Sequence, residues 1–233
     1  NIELKVRTTG DDPDDFTQTV YGNGNVKHSI KDESHGTHVA GIIAAERGNG
    51  LGVDGVANNV QIMAVRAVPN GDEYDKDVAL AIRYAADNGA KVMNTSFGKA
   101  YSPHSDKVRE AIAYAASKDV LIVNAAGNDA LDLDENKSYP NDAVDNGPEV
   151  ADNFVTVGAL APSNGEDVVA SFSNYGKINV DVFAPGAKIY CTEREILYKE
   201  ADLAGSVDAL FKLPDGTFAV VDWKVSDKLK NNM

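Results

Sequence analysis

Residues 106–125 read Asp106-Lys107-Val108-Arg109-Glu110-Ala111-Ile112-Ala113-Tyr114-Ala115-Ala116-Ser117-Lys118-Asp119-Val120-Leu121-Ile122-Val123-Asn124-Ala125. Val108, Ile112 and Ala115 fall on one helical face, which predicts an amphipathic helix over 106–118. Val120 to Ala125 is a short, unbroken apolar run of strand length. The same pair of signals precedes it. Asp77 to Asn88 places Val78, Ala81, Ile82 and Ala85 on one face, Gly89 supplies the stop, and a strand is expected over 90–97. Strands alternating with helices argue for an α/β fold with a parallel sheet covered by helices on both faces.

Working outward, His38 to Glu46 predicts a helix packed on most sides and ended by Gly48-Asn49-Gly50. Val60 to Val65 reads as a buried strand, and 154–158 and 178–183 as two more. The segment 1–34 is polar and turn-rich, with loop chemistry at Gly10-Asp11-Asp12-Pro13-Asp14-Asp15 and Gly22-Asn23-Gly24-Asn25. A short strand is expected around Ile2, Leu4 and Val6. The acidic stretch Leu131-Asp132-Leu133-Asp134-Glu135 is expected to be a solvated insertion.

The 233 residues include 22 Lys+Arg and 36 Asp+Glu, a formal charge of −14, and 43% are hydrophobic. Such a composition supports a globular chain. The acidity argues against a general polyanion binder, which needs clustered cations. The single Cys191 excludes an internal disulfide framework and a four-cysteine zinc site. No apolar run reaches the ~18–20 residues of a membrane span. The first residues lack a signal-peptide core and an initiator Met, as expected of a cut or processed end, so targeting is not legible there.

Ser34-His35-Gly36-Thr37-His38-Val39-Ala40-Gly41 is the most specific string. Two histidines three apart could bind metal, but no further His or Cys cluster completes a site. They could equally mark a plain helix start. As a general base, His35 would sit in the first turn of a helix, whose positive end keeps imidazole neutral near pH 7. His-Gly-Thr-His-Val-Ala-Gly resembles the histidine motif of the subtilisin-like serine peptidases (subtilases). The resemblance makes His35 the base and His38 its structural neighbour. Asn94-Thr95-Ser96-Phe97-Gly98 resembles that family's substrate-binding edge strand, where backbone at Ser96, Phe97 and Gly98 would hold a polypeptide as an added strand. Asn124-Ala125-Ala126-Gly127-Asn128 resembles its oxyanion segment, with Asn128 as donor. Val169 to Gly176 and Val182 to Ala187 resemble later landmarks. The likeness covers about residues 26–190 in order, and implies a subtilisin-like sheet, an extracellular or secreted setting, and no cofactor.

Two parts of a Ser–His–Asp mechanism are not found. The family's Asp ends a buried strand before the histidine motif; here the upstream acids are Asp11, Asp12, Asp14 and Asp15 in a polar loop, and Asp32, three residues from His35. The family's nucleophile lies in a Gly-Thr-Ser-x-x-x-Pro string, absent from these residues. Ser206, Ser226 and Cys191 do not replace it. The expectation is an incomplete, inactive peptidase core over 1–191. Without the nucleophile helix its sheet should present an apolar groove prone to self-association.

Residues 192–233 change texture. Pro214-Asp215-Gly216 as a three-residue loop predicts a β-hairpin in which Phe211 faces Ala219, Ala209 faces Val221 and Val207 faces Trp223. The other face would set Asp208 opposite Asp222, with Lys224 nearby. Opposed carboxylates repel, and a divalent cation would turn that penalty into a site. Ala204-Gly205-Ser206-Val207-Asp208 and Val221-Asp222-Trp223-Lys224 resemble the PD-(D/E)xK nucleases, which implies Mg or Mn at Asp208 and Asp222, Lys224 as a catalytic cation, and Glu193 or Glu195 as a further acid. Nucleic acid would be a partner only if this element functions, and its six Lys/Arg against eight Asp/Glu offer no basic surface. The join near Cys191 reads equally as a natural fusion, a misassembled gene or a constructed chimera. A non-catalytic peptide-binding module is the third reading.

Overall fold

A computed structural model of the chain describes residues 11–17, 22, 24–26, 35–68, 72–161 and 168–186. Beyond these it describes the backbone of the strands within 189–221. The chain divides into two compact units, one of Asn1–Val26 with Met63–Gly186 and one of Lys27–Ile62 with Ala187–Met233.

In the first unit, α2 (Asp75–Asp87), β1 (Val92–Thr95), α3 (Ser105–Ser117), β2 (Leu121–Ala125), β3 (Phe154–Leu160) and β4 (Val182–Pro185) follow one another. The strands form one parallel sheet in the order β1-β2-β3-β4, so the parallel α/β reading holds, whereas the described helices of this unit, α2 and α3, pack on one face rather than on both. Both helices begin and end within two residues of their expected bounds. Gly89 turns α2 into β1 at φ +89°, a left-handed backbone that glycine adopts without strain. Val78 and Ile82 of α2 and Val108, Ile112 and Ala115 of α3 pack with Met93, Ile122 and Phe154 into one core. The last three lie in register on neighbouring strands, so one cross-sheet row receives both helices. Two residues along, the same face carries a polar row of Thr95, Asn124 and Thr156, all buried. There the Thr95 hydroxyl donates to Asn124 Oδ1 at 2.8 Å. On the opposite face Val92, Leu121 and Val182 are exposed (61%, 38% and 48%).

Two expected strands need correction. Val60 to Val65 is irregular, with Val60, Ile62, Met63 and Val65 all exposed. No described strand forms a ladder with it, and an apolar run without a ladder partner cannot satisfy its backbone as a strand. The strand expected over 178–183 begins only at Val182. The backbone N–H groups of Lys177, Ile178 and Asn179 instead donate to the Asp134 carboxylate, at 2.7, 3.1 and 3.0 Å. The acidic stretch is solvent-accessible, as expected, but it is anchored rather than free. Asp134 anchors it, and Leu133 N donates to Tyr175 O at 2.7 Å.

In the second unit, α1 (His35–Ala44) is followed by a turn whose backbone returns to cap it. The N–H groups of Gly55, Val56 and Ala57 donate to the carbonyls of Ala45, Ile42 and Ile43 at 3.0, 2.9 and 2.8 Å. Carbonyls that every helix end leaves without a partner are satisfied this way. Gly55 is required, because a Cβ there would lie 2.3 Å from Ala45 N. The remaining strands are β5 (Ile189–Cys191), β6 (Arg194–Tyr198), β7 (Leu203–Val207), β8 (Ala209–Lys212) and β9 (Phe218–Val221). They form the antiparallel sheets β5-β8-β9 and β6-β7. The β8–β9 register is the expected one, with Ala209 opposite Val221 and Phe211 opposite Ala219. Val207 does not extend that hairpin: it ends β7 opposite Arg194. Val207 is laddered to β6, and the β8–β9 ladder ends at Ala209 and Val221. The strand expected around Ile2 to Val6 lies outside the described residues.

Candidate functional site

His35 is the first residue of α1, in the second unit. Its side chain reaches solvent on one side, while partial burial holds the imidazole pKa below its ordinary 6.5. A neutral ring at neutral pH can accept a proton. His38, one turn on, is buried, consistent with a packing role.

The other candidates of the peptidase reading lie in the first unit. β1 forms one edge of its sheet and ends at Thr95, and Ser96, Phe97 and Gly98 continue from it. Ser96 Oγ accepts from the Asn94 amide at 2.8 Å. The Phe97 side chain is half-buried and packs against the helical core. Gly98 is exposed and runs beside 138–139, where a Cβ would come within 3.1 Å of Tyr139 O. Lys99 and Tyr139 then exchange backbone hydrogen bonds of 3.0 and 2.9 Å.

Asn128 follows β2 and is exposed, with no hydrogen bond among the described residues. The turn that presents it is rigidly built. Gly127 stands at φ +108°, and a Cβ there would meet the Asn174 amide at 2.5 Å. Asn174 is 2% exposed. Its Nδ2 donates to Ala126 O at 2.8 Å, and its Oδ1 accepts from Asp129 N and Leu131 N at 3.0 Å each. One buried amide thus clamps the chain on both sides of Asn128. Sequence reasoning placed Asn174 only within a landmark and missed this role. The signal was an Asn within the polar run Ser171-Phe172-Ser173-Asn174, which local pattern cannot connect to a loop some 45 positions away.

Between the carboxyl end of β2 and the loop 133–146 lies a cavity of about 300 Å³. Ligands of open α/β sheets bind outside the carboxyl ends of the strands. Asn124, Ala126, Ser138, Tyr139, Asp142 and Thr156 are among its walls. Ser138 and Tyr139 are also what Gly98 runs against, so the edge segment passes along the cavity. Asp142 is half-buried, and desolvation first, then the charges of Glu149 and Asp181, push its pKa up to about 6.

The upstream acids have partners of their own. Asp11 pairs with Lys76 at 2.8 Å and Asp14 with His104 at 2.7 Å. Asp12 accepts Asp14 N, and Asp15 accepts the Thr17 hydroxyl. Asp32, Asp208, Asp222, Lys224 and Glu193, and the side chains of Cys191 and Glu195, lie outside the described residues. Among the described residues no group of three or more His, Cys, Asp or Glu side chains is arranged to hold a metal ion. No described helix is long and apolar enough to cross a membrane.

Comparison with known proteins places these features in context. The model of the subtilase family, Peptidase S8, matches residues 2–215, which takes in the first of the two nuclease-like strings. A thermophilic serine proteinase of Bacillus sp. (strain AK1) is 44% identical over 161 residues, covering 68% of this chain and 36% of that protein. A cell wall-associated protease of Bacillus subtilis (strain 168) is 40% identical over 192 residues, covering 81% of this chain and 18% of that protein. The chain thus spans well under two thirds of the length of these relatives. Among solved structures, the S41 psychrophilic protease superposes with a TM-score of 0.54 at 29% identity, covering 79% of this chain and 56% of that one. The chain belongs to the subtilase family.

Proposed function

We propose that this subtilase-family chain carries the general-base, substrate-strand and oxyanion segments of a serine endopeptidase acting on polypeptides, and that its 233 residues alone do not complete the catalytic triad. The observation that carries the reading is Asn128, solvent-facing on a turn clamped by the buried Asn174. Its amide is free to donate, and its backbone is fixed before any ligand arrives. Preorganised donors are effective because nothing has to reorient as charge develops on a carbonyl oxygen. A polypeptide laid along Ser96–Gly98 would gain backbone hydrogen bonds from the free edge of β1. His35, held neutral, would take the proton of an attacking hydroxyl and return it to the leaving amine.

The incompleteness rests on the residues themselves. No Gly-Thr-Ser-x-x-x-Pro string occurs, and four of the upstream acids are engaged in the contacts given above. As it stands the chain is a peptide-binding module with a base and an oxyanion donor but no nucleophile. An extracellular setting is in keeping with a relative named for the cell wall.

A serine-directed fluorophosphonate probe tests the reading together with capture of an extended peptide. The expected result is no covalent labelling and retained peptide binding. Labelling of any serine would overturn the incompleteness, and failure to bind extended peptides would overturn the binding role.

A further inference from the structure

Ser96, Phe97 and Gly98 lie between two anchors. Before them the ladder with β2 ends at the Thr95–Asn124 pair. After them Lys99 exchanges backbone hydrogen bonds with Tyr139. The Lys99 side chain turns inward rather than to solvent, although an ammonium is costly to bury unless a charge and hydrogen bonds meet it. It is 10% exposed, and its Nζ pairs with Asp75 Oδ1 at 2.8 Å. The same Nζ donates to Glu73 O.

Asp75 is the first residue of α2 and is 4% exposed. Its carboxylate takes two more donors from the same stretch. Ser102 Oγ donates to Oδ1 at 2.7 Å and His104 N to Oδ2 at 2.8 Å. One buried carboxylate thus gathers three donors from 99–104. Helix α2 is itself fixed, with Val78 and Ile82 in the core, and a helix N-terminus suits a negative charge. Asp75 is therefore a fixed point that holds the run beyond the edge segment.

A buried ion pair gains little net stability over apolar packing of the same shape, because desolvation offsets the attraction. Its hydrogen bonds are directional, however, and three donors meeting one carboxylate restrict the course of the chain that carries them. Lys99 is the residue directly after Gly98, so the restriction falls on the edge segment. We infer that Asp75 and Lys99 are positioning residues for peptide capture, fixing the backbone of 96–98 so that an extended polypeptide meets it without reordering. The inference rests on the proposed peptide-binding role of that segment, whereas the clasp itself rests on the contacts alone.

The experiment uses the whole chain, with amide exchange, urea unfolding and calorimetry against a blocked Ala-Val-Thr-Val-Ala peptide. The main variant combines Asp75→Asn with Lys99→Met, which removes both charges and leaves neither buried alone. It should unfold at a urea concentration close to that of the wild type, yet exchange faster at 97–99 with 122–125 unchanged, and bind the peptide about tenfold more weakly. Ser102→Ala, which removes one donor, should weaken binding severalfold in the same direction. Lys99→Arg, which keeps a cation against Asp75, should stay closer to the wild type than Lys99→Met in both exchange and affinity. Wild-type exchange and affinity in the double variant overturn the inference. So does an affinity loss matched by faster exchange throughout the sheet, which is the mark of a merely structural pair. Should the double variant fold poorly, unchanged exchange and affinity in Ser102→Ala overturn it instead. Faster exchange at 97–99 in the variants, with no peptide captured even by the wild type, would leave the clasp standing and refute the peptide-binding role.

Discussion

His35 shows how one position couples folding to chemistry. Burial disfavours its charged form, so its folded pKa lies below the ordinary 6.5. The unfolded chain therefore binds the proton more readily than the folded one. Stability contributed by the neutral ring is fully present above 6.5. It is lost as pH falls through 6.5 toward the lower folded value, below which the penalty stays constant. The His35 imidazole should titrate by NMR with a midpoint below 6.5, and the urea midpoint of the wild-type chain should fall with pH across that window more than that of His35→Gln. An ordinary midpoint, or identical pH dependence of the two proteins, would refute this. The same preference for a neutral ring is what a general base needs at neutral pH.

At the scale of elements, side chains rather than ladders decide where strands start. Asp134 accepts from three consecutive backbone N–H groups and from the Asn179 amide. Burial pulls its carboxyl upward in pKa, yet the bonds from Lys177, Asn179 and Ile178 outweigh this and hold it low. Those bonds take the N–H groups that a longer β4 would have used, and they close one wall of the cavity. Asp134→Asn keeps the shape but replaces an acceptor oxygen with a donor facing N–H groups. A hydrogen bond to a charged group is worth roughly 1.5–3 kcal/mol, and a loss of about that size is expected in urea unfolding. Amide exchange at 177–179 should accelerate as well. Unchanged exchange there would show that the carboxylate is not what stops the strand.

For the molecule as a whole, the exposed apolar residues of the sheet set against the net charge matter most. Val92 and Leu121, side by side on β1 and β2, and Val182 on β4 present apolar side chains to solvent, and exposed apolar surface favours association. The formal charge of −14 opposes it at low ionic strength. Sedimentation is expected to show concentration-dependent association that strengthens with added salt, as screening shortens the range of repulsion. Val92→Lys should weaken it several-fold. A monomer at every concentration and salt level would remove these residues as an interaction surface.

The residue patterns by themselves determined a good deal: the parallel α/β class, the faces of α2 and α3, the β8–β9 register, and the ordered motifs that mark a subtilase. Each follows from local rules, because helix and strand periods are set by backbone geometry and a motif is a run of neighbours. The irregular course of 60–65, the late start of β4, the Asn174 clamp behind Asn128 and the Asp142 cavity were decided only in the folded molecule. They depend on hydrogen bonds and desolvation between groups far apart in the chain, as where Asn174 grips the segment 126–131. The physical reason is that a polar group's partner, and so its conformation and charge, is fixed by what packing brings beside it rather than by what precedes it in sequence.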